Sequence, residues 1–179
     1  MRFVPTGLDG AWVVELEPRG DARGFFARAW CEREAAAVGL HPRWVQANVS
    51  LSRDIGTLRG MHYQQAPWQE AKLVRCTRGA IFDAVIDLRT ASPTYLRWVG
   101  VELTAENHRA LYVPEDFAHG FLTLTHDVEI SYLVSQFYTP QAERGIRWND
   151  PAVGIHWPAE AKVLSDKDAR WPDVSRAVP

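Results

Sequence analysis

Long apolar runs are missing from this chain. Nothing in its 179 residues approaches the roughly 18 consecutive apolar residues of a membrane span. The opening Met1-Arg-Phe-Val-Pro-Thr-Gly7 lacks the apolar core of a secretion signal. Charge of one sign is equally scarce. Twenty basic against 22 acidic residues leave a net charge of −2, so no basic block argues for nucleic acid or an anionic membrane. Cys31 and Cys76 stand far apart and form no Cys-x-x-Cys pair, which predicts two free thiols in a reducing compartment. Cytoplasm is the expected location. Repeats, low-complexity tracts and linkers are lacking too, so residues 1–179 are expected to form one domain with a sizeable core.

Helical periodicity is the last scarcity. Only Cys31 to Val38, rich in Ala and Glu and stopped by Gly39, predicts a helix. Strand patterns dominate instead. Trp12 to Glu17, Trp44 to Ser52, Trp98 to Leu103, Arg109 to Val113, Gly120 to Thr125 and Val128 to Phe137 each carry short apolar or alternating runs. Glu70 to Thr77 and Ala80 to Arg89, separated by Gly79, have the layout of a hairpin. In the second run Phe82, Ala84, Ile86 and Leu88 share one face, with Asp83 and Asp87 on the other. Many short strands with little helix between them predict an all-β, antiparallel sandwich or barrel with a few short helices. The tail from Trp157, rich in Pro, Asp, Lys and Arg, is expected to wrap the surface in short helical turns.

The densest chemistry lies in Arg59-Gly-Met-His-Tyr-Gln64, followed by Lys72. In a strand His62 and Gln64 point to one side. An imidazole suits proton transfer near neutral pH, and Arg59 with Lys72 would suit an anionic ligand. His119, Tyr132 and Asp168 complete a set that reads as a proton-transfer site for a phosphorylated substrate. Each residue also has a plainer reading: His62 as a hydrogen-bonded core histidine, Asp168 as a solvated acid, Tyr132 as a core tyrosine and Lys72 as a surface lysine. The alternation of Val128, Ile130, Tyr132 and Val134 turns that tyrosine inward on either reading.

Pro114 to His119 has the spacing P-x-x-x-x-H, and His62 lies between Gly56 and Gly79. Together these resemble the two boxes of the cupin superfamily, a small jelly-roll barrel. Metal-binding cupins carry H-x-H in the first box, where this chain has His62-Tyr63-Gln64. With one ligand missing, His62 and His119 make a poor metal site, and no metal is expected. The resemblance narrows along Asp21-Ala-Arg-Gly-Phe-Phe26, Gln46-Ala-Asn48, Gly56-Thr-Leu-Arg-Gly-Met-His-Tyr-Gln64, Lys72-Leu-Val-Arg-Cys76, Asp87-Leu-Arg-Thr-Ala-Ser-Pro-Thr-Tyr95, Phe117-Ala-His-Gly-Phe121, Gly145-Ile-Arg-Trp-Asn-Asp-Pro151 and Leu164-Ser-Asp-Lys-Asp168. Over nearly its whole length the chain resembles the dTDP-4-dehydrorhamnose 3,5-epimerase family of nucleotide-sugar enzymes.

That resemblance implies a cupin-like jelly roll, usually a homodimer, in which a strand or N-terminal arm can be exchanged between subunits. It implies His62 as proton acceptor with Asp168 as its dyad partner, Tyr132 as proton donor, and Lys72 beside the developing oxyanion. Arg23, Gln46, Asn48, Arg59, His119, Glu143 and Lys167 match positions that hold the nucleotide and the sugar, and Tyr138 could stack on the base. Arg28 stands where the family commonly has Glu, a charge reversal near the expected nucleotide. Arg28 either meets ligand acceptors or faces solvent, pairing with an acid such as Glu32. The expected reaction is epimerisation of a nucleotide-diphospho-4-keto-6-deoxyhexose, of the dTDP-4-dehydro-6-deoxyglucose type, with no cofactor because the ketone already activates the neighbouring C–H bonds. Two alternatives stay open, a metal-dependent cupin dioxygenase or isomerase, and a non-catalytic nucleotide-sugar binding module.

Overall fold

The computed structural model describes residues 1–40 and 43–174; the last residues of the expected tail lie outside them. Two antiparallel sheets face each other in a jelly roll. The first holds, in spatial order, β1 (Arg2–Pro5), β2 (Trp12–Glu15), β10 (Ala110–Val113), β7 (Lys72–Arg78), β12 (Val128–Val134) and β5 (Gln46–Ser52). The second holds β13 (Glu143–Gly145), β6 (Leu58–Gln64), β11 (Phe117–Thr123), β8 (Ala80–Asp87) and β9 (Trp98–Thr104). A separate two-stranded ribbon pairs β3 (Arg19–Asp21) with β4 (Gly24–Phe26). The helical elements named among the described residues are α1 (Glu32–Ala36), α2 (Asp166–Ala169) and one 3₁₀ turn at Pro140–Ala142. None of these is long and apolar enough to cross a membrane.

The expected hairpin at Gly79 does not form. β7 and β8 belong to opposite sheets. Both edges of β7 are taken by β10 and β12, so β8 crosses over and pairs with β11 and β9 instead. The alternation within β8 is as expected, and its acidic face turns into the barrel. Ile81 and Val85 join the central core with Val74, Leu111, Val113 and Ile130 of the facing sheet, and Asp83 and Asp87 on the same face are fully buried. The other face, with Ala84 and Ile86, is covered by Ile146, Trp157 and Val174 of the C-terminal segment. That segment is the tail expected to wrap the surface. α1 is shorter than predicted, ending at Ala36 with Ala37 as its C-cap, and Gly39 closes the turn that follows, its N–H donating to the Ala36 carbonyl.

Asp87 ties the end of β8 to two neighbouring turns. Its carboxylate accepts from Arg89 Nε at 2.8 Å, Ser92 Oγ at 2.6 Å and Thr94 Oγ1 at 2.6 Å. Arg89 in turn donates to the Asp9 carbonyl and lies over the Phe117 ring. Burial pushes the Asp87 carboxyl upward, but these donors outweigh it and hold it at about 2. A carboxyl depressed in the folded state adds stability that is present above its unfolded value of about 4 and is lost as pH falls through the folded one. Asp87→Ala should therefore cost about 1–3 kcal/mol at neutral pH, by leaving the Ser92 and Thr94 hydroxyls and the Arg89 Nε–H without their acceptor. Urea unfolding would read it, and the stability difference from wild type should shrink between about pH 4 and pH 2. An unchanged midpoint at neutral pH would refute the role of the cluster.

Candidate active site

A β-bulge sets up the site. His119 of β11 is opposite His62 of β6, and Phe121 is opposite Arg59, so Gly60 and Met61 together face one residue. Strict alternation would send Arg59 and His62, three positions apart, to opposite faces. The extra residue brings both to the same side, where both line one cavity although Arg59 remains exposed. Gly60 is required here. A Cβ at its φ of 143° would lie 2.5 Å from the Gly120 Cα on the adjacent strand. Arg59 donates to Ser52 Oγ and the Leu51 carbonyl, and no carboxylate among the described residues pairs with it.

The tail delivers the partner of His62. Val163 bridges Thr57 in parallel, and the Leu58 N–H donates to its carbonyl at 2.9 Å, which pins the segment to the start of β6. Ser165 then caps α2, accepting from the Asp168 N–H at 3.0 Å. The result is His62 Nε2 at 2.5 Å from Asp168 Oδ1 across 106 residues of sequence. The carboxylate side chain is 5% exposed and the imidazole 28%. Burial works against ionisation of Asp168. The hydrogen bond and charge of His62, with further donation from Ser165 and Trp171, prevail and hold it below the usual carboxylate range. Asp168 is therefore the acceptor of this hydrogen bond, and Nδ1 is the ring nitrogen that no carboxylate holds.

The facing sheet supplies Lys72 from β7 and Tyr132 from β12, lining the same cavity of about 680 Å³. The Lys72 ammonium pairs with Glu70 at 3.0 Å. Burial foremost, then the Glu70 charge, push the Tyr132 phenol above its ordinary value, while Arg59 acts the other way; at neutral pH it keeps its proton. His119 also lines the cavity, with Nε2 2.6 Å from the buried Asp83. The two histidines thus each turn one nitrogen to a carboxylate. Among the described residues no group of three or more His, Cys, Asp or Glu is arranged to hold a metal ion.

The rim carries Tyr138, Glu143 and Lys167. Glu143 accepts from the Tyr138 hydroxyl at 3.1 Å and from Lys167 Nζ at 2.7 Å. Gln46 and Asn48 of β5 line a smaller adjoining lobe of about 290 Å³, shared with His62, Lys72 and Tyr132. Gln46 also accepts from the Tyr138 N–H at 2.9 Å. Gln64 faces the same way as His62 but serves the scaffold, donating to the Trp68 and Phe137 carbonyls and accepting from the Thr139 N–H. This anchoring explains why β12 ends at Val134 rather than at Phe137: the chain must turn to present Tyr138.

Two expected ligand contacts are not brought to the cavity within one chain. Arg23 sits at the tip of the β3–β4 ribbon against Asp21. Arg28 pairs with Glu34 of α1, not with Glu32, and lines a separate recess with Met1 and Glu17. The reason is that the ribbon joins neither large sheet. Three further residues escaped sequence reasoning. Glu70 precedes Lys72 by two positions and shares its side, a signal available in the alternation. Asp83 is an acid between Ile81 and Val85 on an inward face. Trp171 left no local signal at all.

The profile of the dTDP-4-dehydrorhamnose 3,5-epimerase family matches residues 5–176. A curated relative of that description from Sinorhizobium fredii is 49% identical over 174 residues, covering 93% of this chain and 87% of its own. A crystal structure of the Bacillus anthracis enzyme with TDP and pyrophosphate bound superposes with a TM-score of 0.93 at 39% identity, covering 97% of this chain and 99% of that one. The Legionella pneumophila enzyme, in complex with dTDP-4-keto-L-rhamnose, gives a TM-score of 0.90 at 38% identity, covering 97% and 93%. With a cavity holding His62 and Asp168 on one wall and Lys72 and Tyr132 on the other, this chain belongs to the dTDP-4-dehydrorhamnose 3,5-epimerase family.

Proposed function

We propose that this protein epimerises a nucleotide-diphospho-4-keto-6-deoxyhexose, of the dTDP-4-dehydro-6-deoxyglucose type, at carbon 3, carbon 5 or both. One observation carries the reading: a carboxylate-oriented imidazole and a protonated phenol line one cavity from opposing sheets. Inversion of a carbon needs a base on one face and an acid on the other. His62 Nδ1 removes the proton next to the ketone, and the C–H pair becomes an enolate with its charge on the carbonyl oxygen. The Lys72 ammonium acts where that charge develops, an effect typically worth about 3–4 kcal/mol of barrier. Tyr132 protonates the opposite face of the carbon, and both side chains are restored by exchange with solvent. Asp168 orients the imidazole and stabilises its protonated form.

In this reading Arg59, His119, Lys167, Glu143, Gln46 and Asn48 hold the sugar, phosphates and base, and Tyr138 stacks on the base. Arg59 suits the diphosphate because no carboxylate among the described residues neutralises it. The protein acts as a homodimer in the cytoplasm, with no nucleic acid, membrane, metal or redox cofactor involved. Arg23 and Arg28 then reach a nucleotide across the dimer. The isolated ribbon and its exposed Phe25 and Phe26, 52% and 73% accessible, support an arm that docks on a second copy.

Proton NMR in heavy water with a panel of nucleotide keto-sugars tests the reaction. Deuterium should enter at carbon 3, carbon 5 or both, an inverted product should accumulate, and prior treatment with a strong chelator should change neither rate. Absence of exchange into every keto-sugar would overturn the epimerase reading. Loss on chelation, restored by one divalent ion, would favour the metal-dependent alternative.

A further inference from the structure

Trp171 stands just beyond α2, and three contacts fix its ring. It lies flat against Gly145 of β13, so closely that a Cβ there would be 2.3 Å from the Trp171 Cδ2. Lys167 Nζ sits 6.0 Å above the ring centre. The ring also meets His62 edge-on, with centroids 6.1 Å apart. From that seat the indole Nε1–H donates to Asp168 Oδ1 at 3.3 Å. This is the same oxygen that accepts from His62 Nε2 at 2.5 Å.

We infer that Trp171 is a positioning residue for the base: seated on Gly145, its N–H and ring hold the Asp168 carboxylate that orients His62. The inference rests on the reading of His62 as the base. Gly145 is opposite His62 in the β13–β6 register, so the strand that edges the dyad also provides the floor for its indole. An N–H on Oδ1 does two things. It restrains rotation of the carboxylate, and it draws charge from the oxygen that His62 uses. Donation from Trp171 is among the causes that hold Asp168 low. Without the donor, the carboxylate should attract the imidazolium more strongly, and His62 should keep its proton to higher pH.

The other ionisable groups around His62 come from every wall. Lys72 and Tyr132 face it from the opposite sheet, His119 and Arg59 from the strand pairs beside it, and Glu143 and Lys167 from the rim. Of these only Lys167 touches the Trp171 ring, and a phenylalanine ring on the same seat keeps that contact, so a change in His62 titration reports on the indole N–H.

The test is Trp171→Phe, which keeps an aromatic ring on Gly145 and removes the donor. The ring of His62 is titrated directly by nitrogen NMR of histidine-labelled protein without substrate, and kcat and KM are measured across pH. The expected result is an upward shift of His62 by about half a pH unit, with the acidic limb of kcat/KM moving equally. At the plateau kcat should fall about fivefold, the size of one neutral hydrogen bond, with KM unchanged. Gly145→Ala, which forces the ring off its seat from another strand, should shift His62 the same way and decides the matter if Trp171→Phe does not fold. Folded variants with His62 titrating as in wild type would overturn the inference and leave Trp171 as packing only. A wild type that epimerises nothing would instead remove the function reading, an outcome the substrate-free titration keeps separate.

Discussion

His62→Ala should lose turnover by about a thousandfold or more, the usual worth of a positioned general base. Substrate affinity should stay roughly intact, because the imidazole acts on the proton in flight rather than on the bound ground state. Deuterium entry from solvent should fall with it, and any exchange that persists would point to His119, the other imidazole on the cavity, held by Asp83. Asp168→Asn provides the companion measurement. The amide retains the shape but can present its NH₂ to Nε2, which favours the wrong tautomer and withdraws the charge that stabilises the imidazolium. A smaller or similar loss is expected there. Near wild-type turnover in His62→Ala would show that the base lies elsewhere.

Tyr132→Phe should separate inversion from exchange. The phenol stands on the sheet opposite His62, and burial keeps it protonated well into the alkaline range. Removing the hydroxyl takes away the acid but leaves the base, the dyad and Lys72 in place. Inversion should fall by about two to four powers of ten, while His62 continues to exchange substrate protons with solvent and deuterium enters with retained configuration. The rates of exchange and of inverted-product formation, followed in one NMR sample, should diverge. A variant that inverts as fast as wild type would make water or another residue the donor.

Much of the site is legible in the order of residues alone. His62, Lys72, His119 and Tyr132 lie in short motifs whose spacing is itself informative, and alternation within a strand turns Tyr132 inward along with Val128 and Ile130. Asp168 can be picked out beside them, but only a family resemblance makes it the dyad carboxylate. In Ser-Asp-Lys-Asp, nothing local distinguishes a dyad carboxylate from a solvated acid, and its partner lies 106 positions away. Arg59 can be named as a cation, but its direction depends on a bulge that strict alternation does not predict. Glu70, Asp83 and Trp171 escape notice because their roles consist of contacts with side chains on other elements. Arg23 and Arg28 carry the resemblance in their motif, yet one chain folds them away from the cavity.

The sequence by itself determined the class of fold, because side-chain period and turn residues are local properties. Alternating runs, the Gly39 stop of the one early helix and the sparse helical pattern require little more than neighbouring residues to be read. Tertiary structure alone decided which strands pair. Glu70 to Arg89 reads as a hairpin, but β7 finds both its edges occupied by β10 and β12, and β8 must cross to the other sheet. That crossing buries Asp83 and Asp87 inside the barrel, where His119, 36 positions away, meets the first and the turn just beyond β8, with Arg89, Ser92 and Thr94, meets the second. The same competition for edges sets two sheets face to face and puts His62 opposite Tyr132. Pairing depends on which edges remain free once the whole chain has collapsed, and no window of sequence contains that information.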